Sequence, residues 1–311
     1  MYNRIMKYEN FELEMSDGNK NFIHQWSCDD VVEFVVVFSH GMAEHGLRYE
    51  EFASYVCENN GVLIVEDHRG HGKTAALNGL PLGWICDKGG FFRCAEDIYE
   101  EILYAKKKYP GKKIILASHS FGSFVAQYVI ENHGQEIDKA ILMGTAGPRN
   151  ALVRGGLLVA ALVRAFKGSK YVSPLINELS FGSYNARYEN PRTEFDWISS
   201  DPSSVDLYMM DKMCGYDCSC GFMYDLLCGF LNIHSKAGLR KVPSDLPVFI
   251  CCGKDDPVGT YGKTVKKLAD AYRKNGVKDV TLKIYDGMRH ELLNDRCRYE
   301  VIEELVKFMK D

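Results

Sequence analysis

Three residues far apart in the chain, Ser120, Asp256 and His290, have the types needed to open an acyl bond. Ser120 lies in Leu116-Ala117-Ser118-His119-Ser120-Phe121-Gly122-Ser123, after the strand-like Ile114-Ile115-Leu116 and before the helix-like run Phe124 to Ile130. A serine on a sharp strand-to-helix turn needs small residues two positions before and after it, because the helix must pass close to the strand. Gly122 meets that need, and Ser118 stands where the G-x-S-x-G pattern has its first glycine. A serine hydroxyl is a poor nucleophile near neutral pH, so an imidazole must take its proton and a carboxylate must orient that imidazole and stabilise its cation. Asp256, in Gly253-Lys254-Asp255-Asp256-Pro257-Val258, is the preferred carboxylate, with Asp255 its adjacent rival. His290, in Asp286-Gly287-Met288-Arg289-His290-Glu291, is the base, with Gly287 permitting the turn before it. The charge that develops on the acyl oxygen needs preorganised donors, here assigned to the backbone N–H groups of Met42 and Phe121.

The elements that must carry these residues follow from hydrophobic patterning. Phe34 to Phe38, Val62 to Val65, Ile114 to Leu116, Ile141 to Met143 and Val248 to Ile250 are continuous apolar runs of the kind buried on both faces of a parallel sheet. Helical stripes fall between them: Tyr49, Phe52, Ala53, Val56 and Cys57 share one face, and Ile98, Tyr99, Ile102 and Leu103 another. Asn10 to Met15 and Asn21 to Ser27 flank Asp17-Gly18 and read as an antiparallel edge hairpin. The alternation stops between about Gly147 and Pro247, where an inserted helical cap is expected. Its first helix, Gly155 to Phe166, is apolar nearly all round but too short to span a bilayer. Either both its faces are buried, or part of it lines an acyl-chain pocket or makes transient contact with a membrane or micelle.

Composition excludes several classes. With 311 residues, 46% of them hydrophobic, and a net charge of −4 without a basic stripe, the chain is globular and is not expected to bind nucleic acid. Polar residues at Asn3, Arg4, Lys7, Glu9 and Asn10 leave no apolar leader, so a soluble cytoplasmic protein is expected. Its eleven cysteines should therefore be reduced, and Cys214, Cys218, Cys220 and Cys228 lack the paired C-x-x-C spacing of a zinc knuckle. No metal and no cofactor is expected; the oligomeric state is left open. Asp67-His68-Arg69-Gly70-His71-Gly72-Lys73-Thr74 ends like a phosphate-binding loop, yet Asp67 replaces the first glycine and the following run is too short for the required helix. His40, His45 and His71 read as hydrogen-bonding residues of neighbouring loops, and His119 as a side chain pointing away from Ser120.

Ser39-His40-Gly41-Met42-Ala43-Glu44-His45, Asp67 to Gly72, the turn at Ser120, Asp256-Pro257-Val258 and Arg289-His290-Glu291 together resemble the monoacylglycerol lipase and lysophospholipase group of serine hydrolases. So do Leu179 to Asn185, Arg192 to Trp197 and Asp211 to Tyr216 within the cap. The resemblance implies an α/β-hydrolase fold, with a mostly parallel sheet of about eight strands flanked by helices. It divides into a core of residues 1–147 and 246–311 and a cap of residues 148–245. It also implies a small-molecule acyl ester substrate, a fatty-acid monoester of glycerol or glycerophosphate. A short-chain carboxylesterase, a serine peptidase and a non-catalytic binding protein of the same fold remain as alternatives.

Overall fold

The apolar runs form strands because β-branched and aromatic residues suit a pleated surface covered on both sides. The computed structural model describes residues 6–28 and 31–311; residues 1–5, on which the absence of a leader was partly read, lie outside them. The strands are β1 (Lys7–Glu14), β2 (Lys20–Ser27), β3 (Phe34–Ser39), β4 (Gly61–Glu66), β5 (Lys113–His119), β6 (Lys139–Met143), β7 (Val248–Gly253) and β8 (Val280–Tyr285). They make one sheet in the order β1-β2-β4-β3-β5-β6-β7-β8. From β4 to β8 all neighbours are parallel, and the β1–β2 hairpin adds antiparallel strands at one edge, as the patterning implied.

The helices are α1 (Glu50–Glu58), α2 (Gly72–Leu77), α3 (Gly90–Lys108), α4 (Phe121–His133), α5 (Asn150–Lys167), α6 (Pro174–Phe181), α7 (Pro202–Met210), α8 (Cys220–Ile233), α9 (Lys236–Leu239), α10 (Lys263–Lys274) and α11 (Arg298–Lys310). Alternate residues of each strand feed two separate cores. Val35, Val37, Ile64, Leu116 and Ile250 pack with residues of α3, α4 and α10, while Val36, Phe38, Leu63, Ile115 and Phe249 pack with residues of α1 and α11. On the predicted α3 face, Ile98 and Ile102 are buried, but Leu103 lies on the exposed side.

Between β6 and β7 there is no strand; α5 to α9 fill the gap. Four of these helices start on a side-chain cap. Ser173, Asp201, Ser219 and Ser235 accept from Ile176, Ser203, Phe222 and Gly238 N–H, and proline follows the first two caps. Each such cap stabilises its helix by about 1 kcal/mol. Of the two readings of this helix, burial on both faces does not hold. Val153 and Ala160 face inward, but Leu158 and Leu162 are 64% and 53% exposed and Phe166 is 84% exposed. Apolar composition alone does not say whether a face is covered; α5 rests on α8 from one side. Among the described residues no helix is long and apolar enough to cross a membrane.

Candidate active site

The carboxyl ends of β3, β5, β7 and β8 lie along one edge of the sheet, and each delivers one part of the site. Ser120 is the residue between β5 and α4, with φ 50° and ψ −119°, a backbone region a non-glycine residue enters at a cost of about 1–3 kcal/mol. Its amide donates to Met143 O at 3.0 Å, which ties the turn to the end of β6. Gly122 is needed for close approach: a methyl group there would overlap the carbonyl oxygens of Ser39 and His40 at the end of β3. Ser118, the departure from glycine, is fully buried, and its hydroxyl donates to Ile141 O at 2.8 Å. It is accommodated as a cross-strand tie and leaves the turn intact.

Asp256 follows β7 and His290 follows β8; both are buried, and Asp256 Oδ1 sits 3.0 Å from His290 Nδ1. Asp256 Oδ1 also accepts the Val258 N–H at 2.9 Å, which fixes the carboxylate. Asp255 is exposed and its carbonyl oxygen accepts from Tyr188 Oη, so the rival acid points elsewhere. Burial pushes the His290 imidazole down, but the charge and hydrogen bond of Asp256, together with the charges of Glu291 and Glu44, outweigh it, and the pKa lies above that of a free histidine. Gly287 takes φ 70° in the turn before His290.

The loop after β3 runs past Ser120: a methyl group on Gly41 would lie 3.3 Å from Ser120 Cβ. Met42 follows Gly41 in this loop, and Phe121 is the first residue of α4, whose first N–H groups have no acceptor within the helix. The loop is held from both sides. Glu44 Oε1 accepts the Gly41 N–H at 2.5 Å and the Tyr49 hydroxyl at 2.8 Å. Ala43, at φ 54°, has its carbonyl bonded by Tyr208 Oη at 2.9 Å and Gly215 N–H at 3.0 Å.

Several residues of the site were not singled out by the sequence reading. His119, expected to point away from Ser120, packs its ring on that of His290 at 4.7 Å, and Trp197 covers His290 from the segment between β6 and β7 at 5.1 Å. Arg48 joins Glu44 to Glu291, the residue after His290. The signals available were an arginine four positions after Glu44 and a second carboxylate beside the base. The other histidines behave as expected. His40 Nδ1 donates to Gly41 O and its Nε2 accepts from His68 N–H, His71 Nδ1 donates to Arg69 O, and His45 pairs with Asp211 at 2.8 Å.

Neither a phosphate loop nor a cysteine cluster forms. Asp67 is fully buried and accepts the Gly46 and Lys73 N–H groups, occupying with its own carboxylate the space an anion would need. Cys218 and Cys220 pack in the main core, Cys214 packs with Ile198, Val205 and Tyr208, and Cys228 is half-buried. Among the described residues, His45, Asp211 and Cys214 have ligand atoms within 4.8 Å of one another. Burial pushes the Cys214 thiol up, so it is protonated, and His45 and Asp211 already satisfy each other. The trio reads as a contact between the loop after β3 and the segment before α8.

A serine in a strained strand-to-helix turn, a buried imidazole–carboxylate pair at later strand ends and a mostly parallel eight-stranded sheet define an α/β-hydrolase. The chain belongs to the serine aminopeptidase S33 family (Hydrolase_4), whose profile matches residues 31–297. It is 25% identical to the human monoglyceride lipase over 90% of this chain and 82% of that one. To the monoacylglycerol lipase of Mycolicibacterium smegmatis it is 24% identical, over 91% of this chain and 90% of that one. The crystal structure of a thermostable carboxyl esterase from Bacillus coagulans in complex with glycerol superposes with a TM-score of 0.89 at 29% identity, covering 98% of this chain and 99% of that one. The resemblance to monoacylglycerol lipases drawn from the motifs is therefore borne out.

Proposed function

We propose that the protein hydrolyses fatty-acyl monoesters, monoacylglycerol or lysophospholipid, through an acyl-enzyme on Ser120. His290 takes the Ser120 proton as the hydroxyl attacks the acyl carbon; Asp256 holds the imidazole tautomer and stabilises its cation. The Met42 and Phe121 N–H groups donate to the tetrahedral oxygen and stabilise its charge. His290 then protonates the departing alkoxide, and a water activated by the same imidazole hydrolyses the acyl group from Ser120. Residues 148–245 act as the cap over this centre, with residues 1–147 and 246–311 as the catalytic core.

The observation that carries the reading is the 3.0 Å pairing of Asp256 with His290 after strands that end on the same sheet edge as a serine whose strained backbone abuts Gly41. The lipid substrate is supported by the monoglyceride lipases among its relatives and by the uncovered apolar side of α5 and α6, which suits transient docking on a membrane or micelle. A short-chain carboxylesterase is the second reading, favoured by the match to the Bacillus coagulans esterase. Turnover measured across esters of rising acyl length, with monoacylglycerol and lysophospholipid included, separates them. A maximum at long acyl chains is expected; a maximum at acetyl sinks the lipase reading. Labelling of Ser120 by a fluorophosphonate checks the serine mechanism, and a folded protein that is not labelled refutes it.

A further inference from the structure

Glu44, Arg48 and Glu291 form a buried line between the two loops of the site. Glu44 receives the Gly41 amide on one oxygen and the Arg48 guanidinium on the other, at 2.5 Å each. Arg48 then grips both oxygens of Glu291, at 2.8 and 2.7 Å. The side chains are 2%, 12% and 5% exposed, in the order Glu44, Arg48, Glu291. The guanidinium also lies 4.9 Å over the ring of Tyr208, whose hydroxyl holds Ala43 O. Every partner of this arginine thus belongs to, or directly holds, the oxyanion loop or the loop bearing His290.

We propose that Arg48 is the positioning residue of the centre: it bolts the oxyanion loop, through Glu44, to the His290 loop, through Glu291, and the net negative charge of the trio supports the imidazolium formed during turnover. This rests on the serine-hydrolase reading above. Two carboxylates against one guanidinium leave one uncompensated negative charge in a dry setting, where charge interactions are strong. A bidentate fork also sets distance and angle, which a lysine cannot do. Burial opposes the Arg48 charge, and Glu291 and Glu44 restore it, so the guanidinium stays ionised. The groups facing His290 are Asp256 after β7, His119 at the end of β5, Trp197, and the trio itself. Glu291 and Glu44 both act on His290 in the direction that favours its protonated form.

The test combines kcat/KM against pH on p-nitrophenyl butyrate with an NMR titration of His290 in histidine-labelled protein. Glu291→Gln keeps the shape and removes the charge, so the acid limb and the His290 titration should both move down by about 0.5–1 pH unit. Glu44→Gln should move them the same way, and serves if Glu291→Gln does not fold. Arg48→Met should lower kcat roughly 10- to 100-fold with KM within about twofold, and Arg48→Lys should recover part of that loss. A merely structural role would lower thermal stability and leave the acid limb in place. A folded Glu291→Gln or Glu44→Gln variant with unchanged acid limb and titration, or an Arg48→Met variant with wild-type kcat, overturns the proposal. Should the wild type hydrolyse no ester, the hydrolase reading fails, and the His290 titration still decides whether the trio supports the imidazolium.

Discussion

Asp256 and His290 meet at 3.0 Å inside the protein, whereas Asp255, one residue earlier, is exposed. The second oxygen of Asp256 is buried without a hydrogen-bond partner among the described residues, so the whole pairing energy of this carboxylate is directed through Oδ1. Asp256→Asn should therefore lower kcat by about 10⁴-fold, the scale for a histidine left in the wrong tautomer, while Asp255→Asn stays within about twofold. Ester hydrolysis kinetics on the two purified variants decide it, and a larger loss at Asp255 refutes the assignment.

The turn at Ser120 tolerates its two small neighbours unequally. Gly122→Ala places a methyl group on backbone oxygens of Ser39 and His40, which no rotamer change can relieve. Such overpacking destabilises by about 1–3 kcal/mol or more, and here it also pushes on the loop that leads to Met42. Ser118→Gly removes a single buried hydrogen bond to Ile141 O, a loss of about 1 kcal/mol, with activity within a few-fold of wild type. Thermal denaturation and turnover of both variants should rank them in that order; Gly122→Ala with wild-type stability and rate contradicts the close-approach argument.

These contrasts show what the sequence carries and what it does not. The strands were legible because runs such as Val35-Val36-Val37 and Leu63-Ile64-Val65 suit only a sheet covered on both faces. As candidates, Ser120 and Asp256 were legible because each follows such a run, and His290 because it follows Gly287 in the turn after Ile284-Tyr285, in the chain order that a serine, a carboxylate and an imidazole take in this fold. Arg48 was not: its pairing with Glu291 spans 243 positions, and no local periodicity encodes a contact made only when β3 and β8 are brought to one sheet edge. The contact of His119 with His290 was not legible, because strand alternation says which side of the chain a ring leaves, and not that the His290 loop folds back onto it. The exposed side of α5 was hidden for the reason already given: composition reports apolar faces, and only packing reports covers.

Buried histidines and buried glutamates set opposite limits on stability. Burial holds His68 and His71 at about 4 and His234 at about 3, and keeps His40 and His119 well below the free value. A depressed histidine contributes stability that is complete above its unfolded pKa, near 6.5, and is lost as pH falls, because the unfolded chain then binds protons the folded one refuses. Glu131, raised by burial to about 9, and Glu66 and Glu101, raised well above the ordinary carboxylate range, have the reverse sign. Their contribution is complete below the unfolded carboxylate pKa and declines as pH rises towards the folded one; His290, raised by Asp256, adds to that decline. The melting temperature should peak at roughly pH 6–7 and fall on both sides. A calorimetric pH series that rises monotonically through pH 8 contradicts this balance.

The uncovered side of α5 and α6 yields the last prediction. Leu152, Leu158, Leu162 and Phe166 on α5 and Leu175 and Leu179 on α6 are exposed, the first four at helical spacing. An exposed apolar surface of this kind costs free energy in water unless something covers it, and a bilayer interface is the cover that the proposed hydrolysis of lipid esters would bring to it. Burying one Leu or Phe side chain in such an interface contributes about 1.5–3 kcal/mol, so each lost side chain should weaken partitioning roughly ten-fold or more. Leu158→Glu combined with Phe166→Glu should therefore nearly abolish co-sedimentation with phosphatidylcholine vesicles. Because neither side chain belongs to the Ser120 centre, turnover of a water-soluble short-chain ester should stay within about twofold, while hydrolysis of vesicle-borne monoacylglycerol falls in parallel with binding. Unchanged vesicle binding in the double variant rules this face out as the docking surface, and a matching loss on the soluble ester assigns it instead to the packing of the helices between β6 and β7.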